Sequence, residues 1–234
     1  MQPYFLPYIG YFQLINLCDK FVIYDDIQFT KRGWINRNRI LARGQPLTVT
    51  IPVAKDSDFL DICRREVAGD FKSGKMMNIF RESYRGAPFW TEQEQMLGEI
   101  LGSSDRNLFG FVANSLRELV GRLEIDTELV VSSTLDVDRR LVGQERVVAT
   151  CQAIGATDYV NPIGGRELYT RSYFAESGIE LSFLKSKLTP YDQGGAPWVE
   201  ALSIIDGMMF VEPEELRSRV VNDYVVCSRT SAAE

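Results

Sequence analysis

GYFQLINLCDKFVIYDD, residues 10–26, reads as two elements in immediate succession. A turn leads into a short helix from about 9 to 18, and a strand follows from about 20 to 25. KFVIYDD carries the β-branched and aromatic side chains of a buried strand, and the paired Asp25 and Asp26 stop it. Further along, TELVVSSTL (127–135) is another strand, GQERVVATCQAIGA (143–156) a helix ended by Gly155, and DYVNP (158–162) a strand. RSYFAESG is a short helix with Gly178 as its C-cap, and IELSFLKSK is a further strand. Strands separated by helices at this spacing pair in parallel through crossovers. The fold expected is therefore α/β, with a mostly parallel sheet of Rossmann or nucleotidyltransferase-like type.

Between the first strand and this alternation the pattern changes. Residues 27–44 read as a polar segment, and LTVTIPV (47–53) as a strand. From about 69 to 124 the apolar residues recur at i, i+3, i+4 and i+7 in three runs, MMNIFRESY, TEQEQMLGEIL and NLFGFVANSLRELVGRL. Ser104 or Asp105 is the expected cap of the third. The chain is thus read as a single domain, 1–234, with a helical insertion or side layer. PWVEALSIIDGMMF and PEELRSRVVNDYVV close it as two helices, Pro213 fitting the first turn of the second.

Composition narrows the chemistry. The chain holds 234 residues, no histidine and a net charge of −6, which argues against general nucleic-acid binding. Without histidine, Ser-His-Asp triads, Cys-His dyads and His-ligated metals are impossible within one chain. Proton transfer then falls to Asp, Glu, Lys, Tyr, Cys or the substrate. Cys18, Cys63, Cys151 and Cys227 form no CxxC pair and read as reduced thiols, Cys151 on an apolar helix face as core. No apolar run reaches the about 18–20 residues of a membrane span, and no leader pattern is visible, so a cytoplasmic protein is expected.

In parallel α/β sheets ligands sit outside the carboxyl ends of the strands. That rule gathers Asp25, Asp26 and Gln28 after one strand with Asn161, Gly164 and Gly165 after another. DDIQFTKRGWINRNRI (25–40) adds Arg37 and Arg39, suited to bidentate contact with a phosphate or carboxylate. Trp34 and Phe29 are unusual in a loop that is merely solvated. The glycine pair of NPIGG (161–165) either lets backbone amides approach an anion or supplies a turn of positive φ. Gln144 and Glu145 open a helix, where capping alone explains them. Finally, Tyr8-Ile9-Gly10-Tyr11 stands where nucleotide-binding enzymes place His-x-Gly-His. Phenols keep the shape of such a turn but not its charge.

Five ordered blocks, MQPYFLPYIGYFQLI, YDDIQFTKRGWINRNRI, GQERVVATCQAIGA, YVNPIGGRELY and LSIIDGMMF, resemble the WbqC-like protein family over nearly the whole chain. That family begins several residues ahead of the Met-Gln-Pro with a short strand, so a further strand before Met1 is expected. The resemblance implies a role in O-antigen and related surface (lipopolysaccharide) polysaccharide biosynthesis, as a transferase of glycyl, aminoacyl or acyl groups onto a nucleotide-linked sugar. It implies a small-molecule partner, establishes no cofactor, and leaves the oligomeric state open. Asp25, Asp26 and Lys31 become the candidate catalytic residues. Gln2, Tyr11, Gln28, Asn36, Arg37, Asn38, Arg39, Gln144, Glu145, Arg146, Asn161, Gly164, Gly165, Tyr169, Tyr191 and Gln193 become candidate substrate contacts, and Asp206 fits the pattern. Under this reading Asp25 or Asp26 is the general base, and the Gly164 and Gly165 amides face the oxyanion. Two alternatives stay open: nucleotidyl transfer or adenylate formation, which alone calls for Mg²⁺, and a non-catalytic sugar-nucleotide binder.

Overall fold

A computed structural model describes residues 1–195 and 197–227. In chain order the helices are α1 (Ile9–Leu17), α2 (Ser73–Tyr84), α3 (Trp90–Leu101), α4 (Leu108–Arg122), α5 (Gly143–Ala153), α6 (Arg171–Glu176), α7 (Ile204–Phe210) and α8 (Pro213–Asn222). The strands are β1 (Lys20–Ile23), β2 (Arg37–Ala42), β3 (Gln45–Thr50), β4 (Glu128–Val131), β5 (Asp158–Pro162), β6 (Glu180–Ser186) and β7 (Tyr224–Cys227). The architecture is mixed α/β with parallel strand pairs: β1 pairs with β4, Phe21 opposite Leu129, and β5 pairs with β6, Tyr159 opposite Leu181. No helix among the described residues is long and apolar enough to cross a membrane.

The strands do not join into one ladder. They form the β1–β4 pair, an antiparallel β2–β3 hairpin and the three-stranded β5–β6–β7 group. Between the edges of β1 and β5 lies a cavity of about 300 Å³, walled by Phe21, Val22 and Val160, by Leu14 and Leu17 of α1, and by Val147 and Cys151 of α5. Met1 hydrogen-bonds along β1: its nitrogen donates to the Val22 carbonyl, and Tyr24 N–H donates to the Met1 carbonyl, both at 2.8 Å.

Four expectations need correction. Residues 27–44 are not all loop, since β2 occupies 37–42 and turns into β3 through Arg43 and Gly44, both at positive φ (52° and 72°). Successive positive φ values give the primed turn that matches strand twist. The first of the two closing helices begins only at Ile204. Upstream, Ala201 has φ 52°, Ser203 donates its N–H to the Arg39 carbonyl, and Ser203 Oγ caps Ile205 N–H. The segment is spent on binding β2. The second helix stops at Asn222, and Tyr224–Cys227 pairs antiparallel with β6, where β-branched Val225 and Val226 favour strand. The cap of α4 is Asn107, whose side chain accepts from Gly110 N–H, while Asp105 accepts from Asn107 N–H.

The main core joins α1 to α2, α3, α4 and α7. Phe5, Phe12, Ile15, Phe80, Tyr84, Leu108, Phe111 and Ile205 are all within it, each buried apolar side chain contributing roughly 1.5–3 kcal/mol. A polar knot threads this core. Asp206 is fully buried; its Oδ1 accepts from Tyr84 Oη (2.8 Å), and its Oδ2 accepts from Tyr191 Oη and Gln193 Nε2 (both 2.7 Å). Leu41 N–H in turn donates to Tyr84 Oη at 2.9 Å. Burial pushes the Asp206 carboxyl above the usual carboxylate range, against the opposing pull of these three donors. A second, smaller core packs Val147, Val148 and Cys151 of α5 against Phe174, Leu181 and Phe183.

Candidate active site at the carboxyl ends of β1 and β4

Parallel β1 and β4 deliver Asp25, Asp26 and Ser132 to the same edge. Asp25 and Asp26 are buried, and Ser132 lies between them. Ser132 Oγ is 3.0 Å from Asp25 Oδ1 and 2.5 Å from Asp26 Oδ1, and it accepts from Asp25 N–H at 3.2 Å. One hydroxyl carries one proton, so Ser132 donates to one carboxylate at a time. Asp25 Oδ1 also accepts from Ser133 N–H at 2.9 Å, which ties it to the turn after β4.

Asp26 belongs to a different partner. Arg146, reaching across from α5, places Nη2 2.6 Å from Asp26 Oδ1, and Nη1 reaches the Asp26 carbonyl at 3.4 Å. Arg139 Nε stands 3.6 Å from the other oxygen, Oδ2, and its side chain is two-thirds exposed (65%). Burial raises the Asp26 pKa, but hydrogen bonds from Ser132 and Arg146 and the Arg146 charge outweigh it. The carboxyl is held below its usual range. Arg146 is itself clamped: its Cζ lies 5.3 Å from the centre of the Tyr24 ring, a cation–π contact. Thr150 Oγ1 donates to the Arg146 carbonyl (2.7 Å), so Tyr24 Oη is the donor in its 3.1 Å contact with Thr150.

The neighbouring wall comes from β5 and the turn after it, Ile163–Leu168. Tyr159 Oη donates to Asn161 Oδ1 at 3.2 Å, and Tyr169 packs edge-on to Tyr159 at 5.7 Å between ring centres. Gln144 Oε1 accepts from Thr170 N–H, joining the start of α5 to this wall, while Glu145 points to solvent. Gly164 and Gly165 do not have the positive φ of a tight turn. Gly165 instead leaves room for a side chain: a Cβ there would come within 2.1 Å of Asn161 Nδ2, so the amide would have to move.

Other candidates lie elsewhere. Lys31 pairs with Asp58 at the surface (2.6 Å), and Gln28 Nε2 donates to the Asp58 carbonyl. Asn36 donates to the Ile51 carbonyl, and Asn38 Nδ2 to the carbonyls of Phe5 (3.0 Å) and Leu6 (2.9 Å). Arg37 and Arg39 flank Trp34. Tyr11 is buried in the core with its hydroxyl on the Gln2 carbonyl, and Tyr191 and Gln193 serve the Asp206 knot. At Tyr8-Ile9-Gly10-Tyr11, the Tyr8 ring lies over Gly10 so closely that a Cβ would meet it at 2.5 Å. The tyrosine fills the place above that turn. Ser132, Tyr24, Thr150 and Arg139 escaped sequence reasoning; the Ser-Ser-Thr directly after the ELVV strand was the available signal for the first.

No group of three or more Cys, Asp or Glu among the described residues is arranged to hold a metal ion. The profile of the WbqC-like protein family matches residues 2–218. A Mycobacterium tuberculosis (strain ATCC 25618 / H37Rv) protein, named as uncharacterized protein Rv1507c, is 29% identical over 217 residues, covering 92% of this chain and 93% of that one. No solved structure matches.

Proposed function

The chain belongs to the WbqC-like protein family, and from that premise we propose that it is a transferase moving a glycyl, aminoacyl or other acyl group onto a nucleotide-linked amino sugar for surface polysaccharide synthesis. The observation that carries this reading is the Asp26 carboxylate: buried, ion-paired to Arg146 through Oδ1, and with Oδ2 3.6 Å from the exposed side chain of Arg139. A carboxylate held below its usual pKa is a weak base for a hydroxyl. It suffices for an amine, which sheds its proton only after attack has made it an acidic ammonium. In this scheme Asp26 Oδ2 holds the acceptor N–H while nitrogen bonds to the acyl carbon. It takes the proton as the tetrahedral intermediate forms, and returns it to the leaving group as the bond to that group breaks. Arg139 and the backbone amides of Gly164 and Gly165 face the developing oxyanion. Asp25, tied to Ser132 and Ser133, positions the turn after β4 rather than touching substrate.

Thermal unfolding against nucleotide-linked amino sugars, their hydroxyl counterparts and acyl thioesters tests this, followed by mass spectrometry of mixed reactions. A ligand at about a hundred times its Kd adds roughly 2.7 kcal/mol. A shift with amino sugars, acyl transfer to nitrogen and its loss in Asp26→Asn are expected. Unchanged turnover in Asp26→Asn would remove Asp26 from the mechanism, and a response confined to nucleoside triphosphate with Mg²⁺ would replace the reading altogether.

A further inference from the structure

Trp34, Arg37 and Arg39 form a second polar centre that the Asp26 chemistry does not use. Trp34 is 38% exposed, high for an indole, and the guanidinium carbons of Arg37 and Arg39 each lie 5.8 Å from its ring centre. Neither arginine has an ion-pair partner among the described residues, in contrast to Arg146 with Asp26. Arg37 is fastened by Nε to the Gly33 carbonyl (3.0 Å) and by Nη2 to the Arg32 carbonyl, which fixes the loop that presents the indole. Arg39 makes one long contact, Nη2 to the Ala201 carbonyl at 3.4 Å, and its Nε has no partner among the described residues. Two guanidinium groups against one indole, neither of them ion-paired among the described residues, make this a place that favours an anion.

The surroundings are built for rigidity. Leu6 and Ala201 both sit in the left-handed region (φ 45° and 52°), which costs a non-glycine residue free energy. Asn38 holds the first through the Phe5 and Leu6 carbonyls, and Arg39 holds the segment of the second. The loop that starts at Met1 beside Tyr24 reaches Trp34 through Phe5 N–H and the Trp34 carbonyl (3.1 Å). Four residues span at most about 14 Å, so this loop ties the backbone at Trp34 to the backbone of β1 over a short stretch of chain.

We propose that Trp34, Arg37 and Arg39 bind a phosphate or diphosphate group, the arginines as donors and the indole as the shelf that sets their spacing. This deepens the transferase reading by giving its nucleotide-linked substrate a phosphate anchor, and it stands or falls separately, because it is tested by binding alone. Isothermal titration with inorganic phosphate, pyrophosphate, uridine diphosphate and malonate is the experiment. Pyrophosphate and uridine diphosphate are expected to bind, more weakly as salt rises, and Arg39→Gln is expected to weaken both at least tenfold. If Arg39→Gln does not fold, Trp34→Ala carries the test, since its exposed indole leaves the core untouched, and weakening is again expected. Binding unchanged in the folded variant, malonate binding as tightly as pyrophosphate, or an equal loss in Arg139→Gln would each overturn the assignment. The last would move the anion to the Asp26 edge. Absence of acyl transfer by the wild-type protein, with phosphate binding intact, would refute the transferase reading and leave this one standing.

Discussion

Replacing Arg146 with methionine keeps most of the side chain's apolar stem in place and strips the charge from Asp26. What remains around that carboxylate is one hydroxyl proton, shared with Asp25, and Arg139 at 3.6 Å. Breaking a buried ion pair from one side typically costs about 3–5 kcal/mol. Because Ser132 and Arg139 persist, the lower end, about 3 kcal/mol, is the expected cost. For a chain of this size each kcal/mol moves Tm by roughly 2–4 °C, so a loss of about 6–12 °C is expected in calorimetry at pH 7. The pH dependence gives the sharper test. In the native protein the Asp26 pKa is depressed, so its contribution to stability is full above the unfolded carboxylate pKa and lost as pH falls through the folded value. In Arg146→Met burial acts with less opposition and the pKa rises. The variant therefore sheds its unpaired charge on acidification, and the gap between it and the wild type narrows from pH 7 to pH 4. Asp26→Asn with Arg146→Met should cost less than the two single changes added together. A loss below about 1 kcal/mol, strict additivity, or a gap that does not change with pH would refute the account of this pair.

Two further outcomes concern the interior. Tyr84→Phe removes the acceptor of Leu41 N–H and a donor to Asp206 together, and should cost about 2–3 kcal/mol in urea denaturation. Asp206 has a raised pKa, so the stability it contributes is full below the unfolded carboxylate pKa and declines as pH rises through the folded value; Asp206→Asn should abolish that decline. Burial pushes the Cys151 thiol up to about 11, so a disulfide reagent at pH 7.5 should label it only at the rate at which the protein opens, and prompt labelling would contradict its place in the α5 core.

The elements that could be read from sequence are those whose local pattern and tertiary role agree. KFVIYDD, DYVNP and IELSFLKSK are strands because their β-branched and aromatic runs also meet parallel partners, β4 for the first and each other for the last two, and the three amphipathic helices from 73 to 122 follow because their apolar stripes are the faces that are buried. β2 was hidden because RNRILA puts polar Asn38 at an inward position: it and Asn36 just ahead of the strand face the protein to bind backbone carbonyls, which inverts the usual pattern. The 197–203 segment looks helical until the amides of Ser203 and of Ile204 after it are traced to Arg39 and Pro7, partners more than 150 residues away that no local window contains. At the site, paired aspartates stopping a strand were visible as a signal. Their division of labour was not, because it depends on which one Arg146 reaches from α5. Gln144 and Arg146 do arrive at this edge, whereas Tyr191 and Gln193, close to them in the motif pattern, serve a buried knot.

Asn38 and Arg39, adjacent in β2, between them hold the Phe5–Leu6 turn and the Ala201–Ser203 segment. Ile204 N–H also binds the Pro7 carbonyl at 2.8 Å, so the opening loop depends on chain synthesised almost two hundred residues later. A ribosome adds about 5–20 residues per second. For roughly ten seconds or more, a nascent chain therefore carries β1 and its aspartates beside a loop that has not yet been given its shape. The carboxyl edge of the sheet is thus finished only when the end of the chain folds back over its beginning. Truncation ahead of Ser203 should remove both of these contacts together with α7, and so unsettle the opening loop and the main core at once.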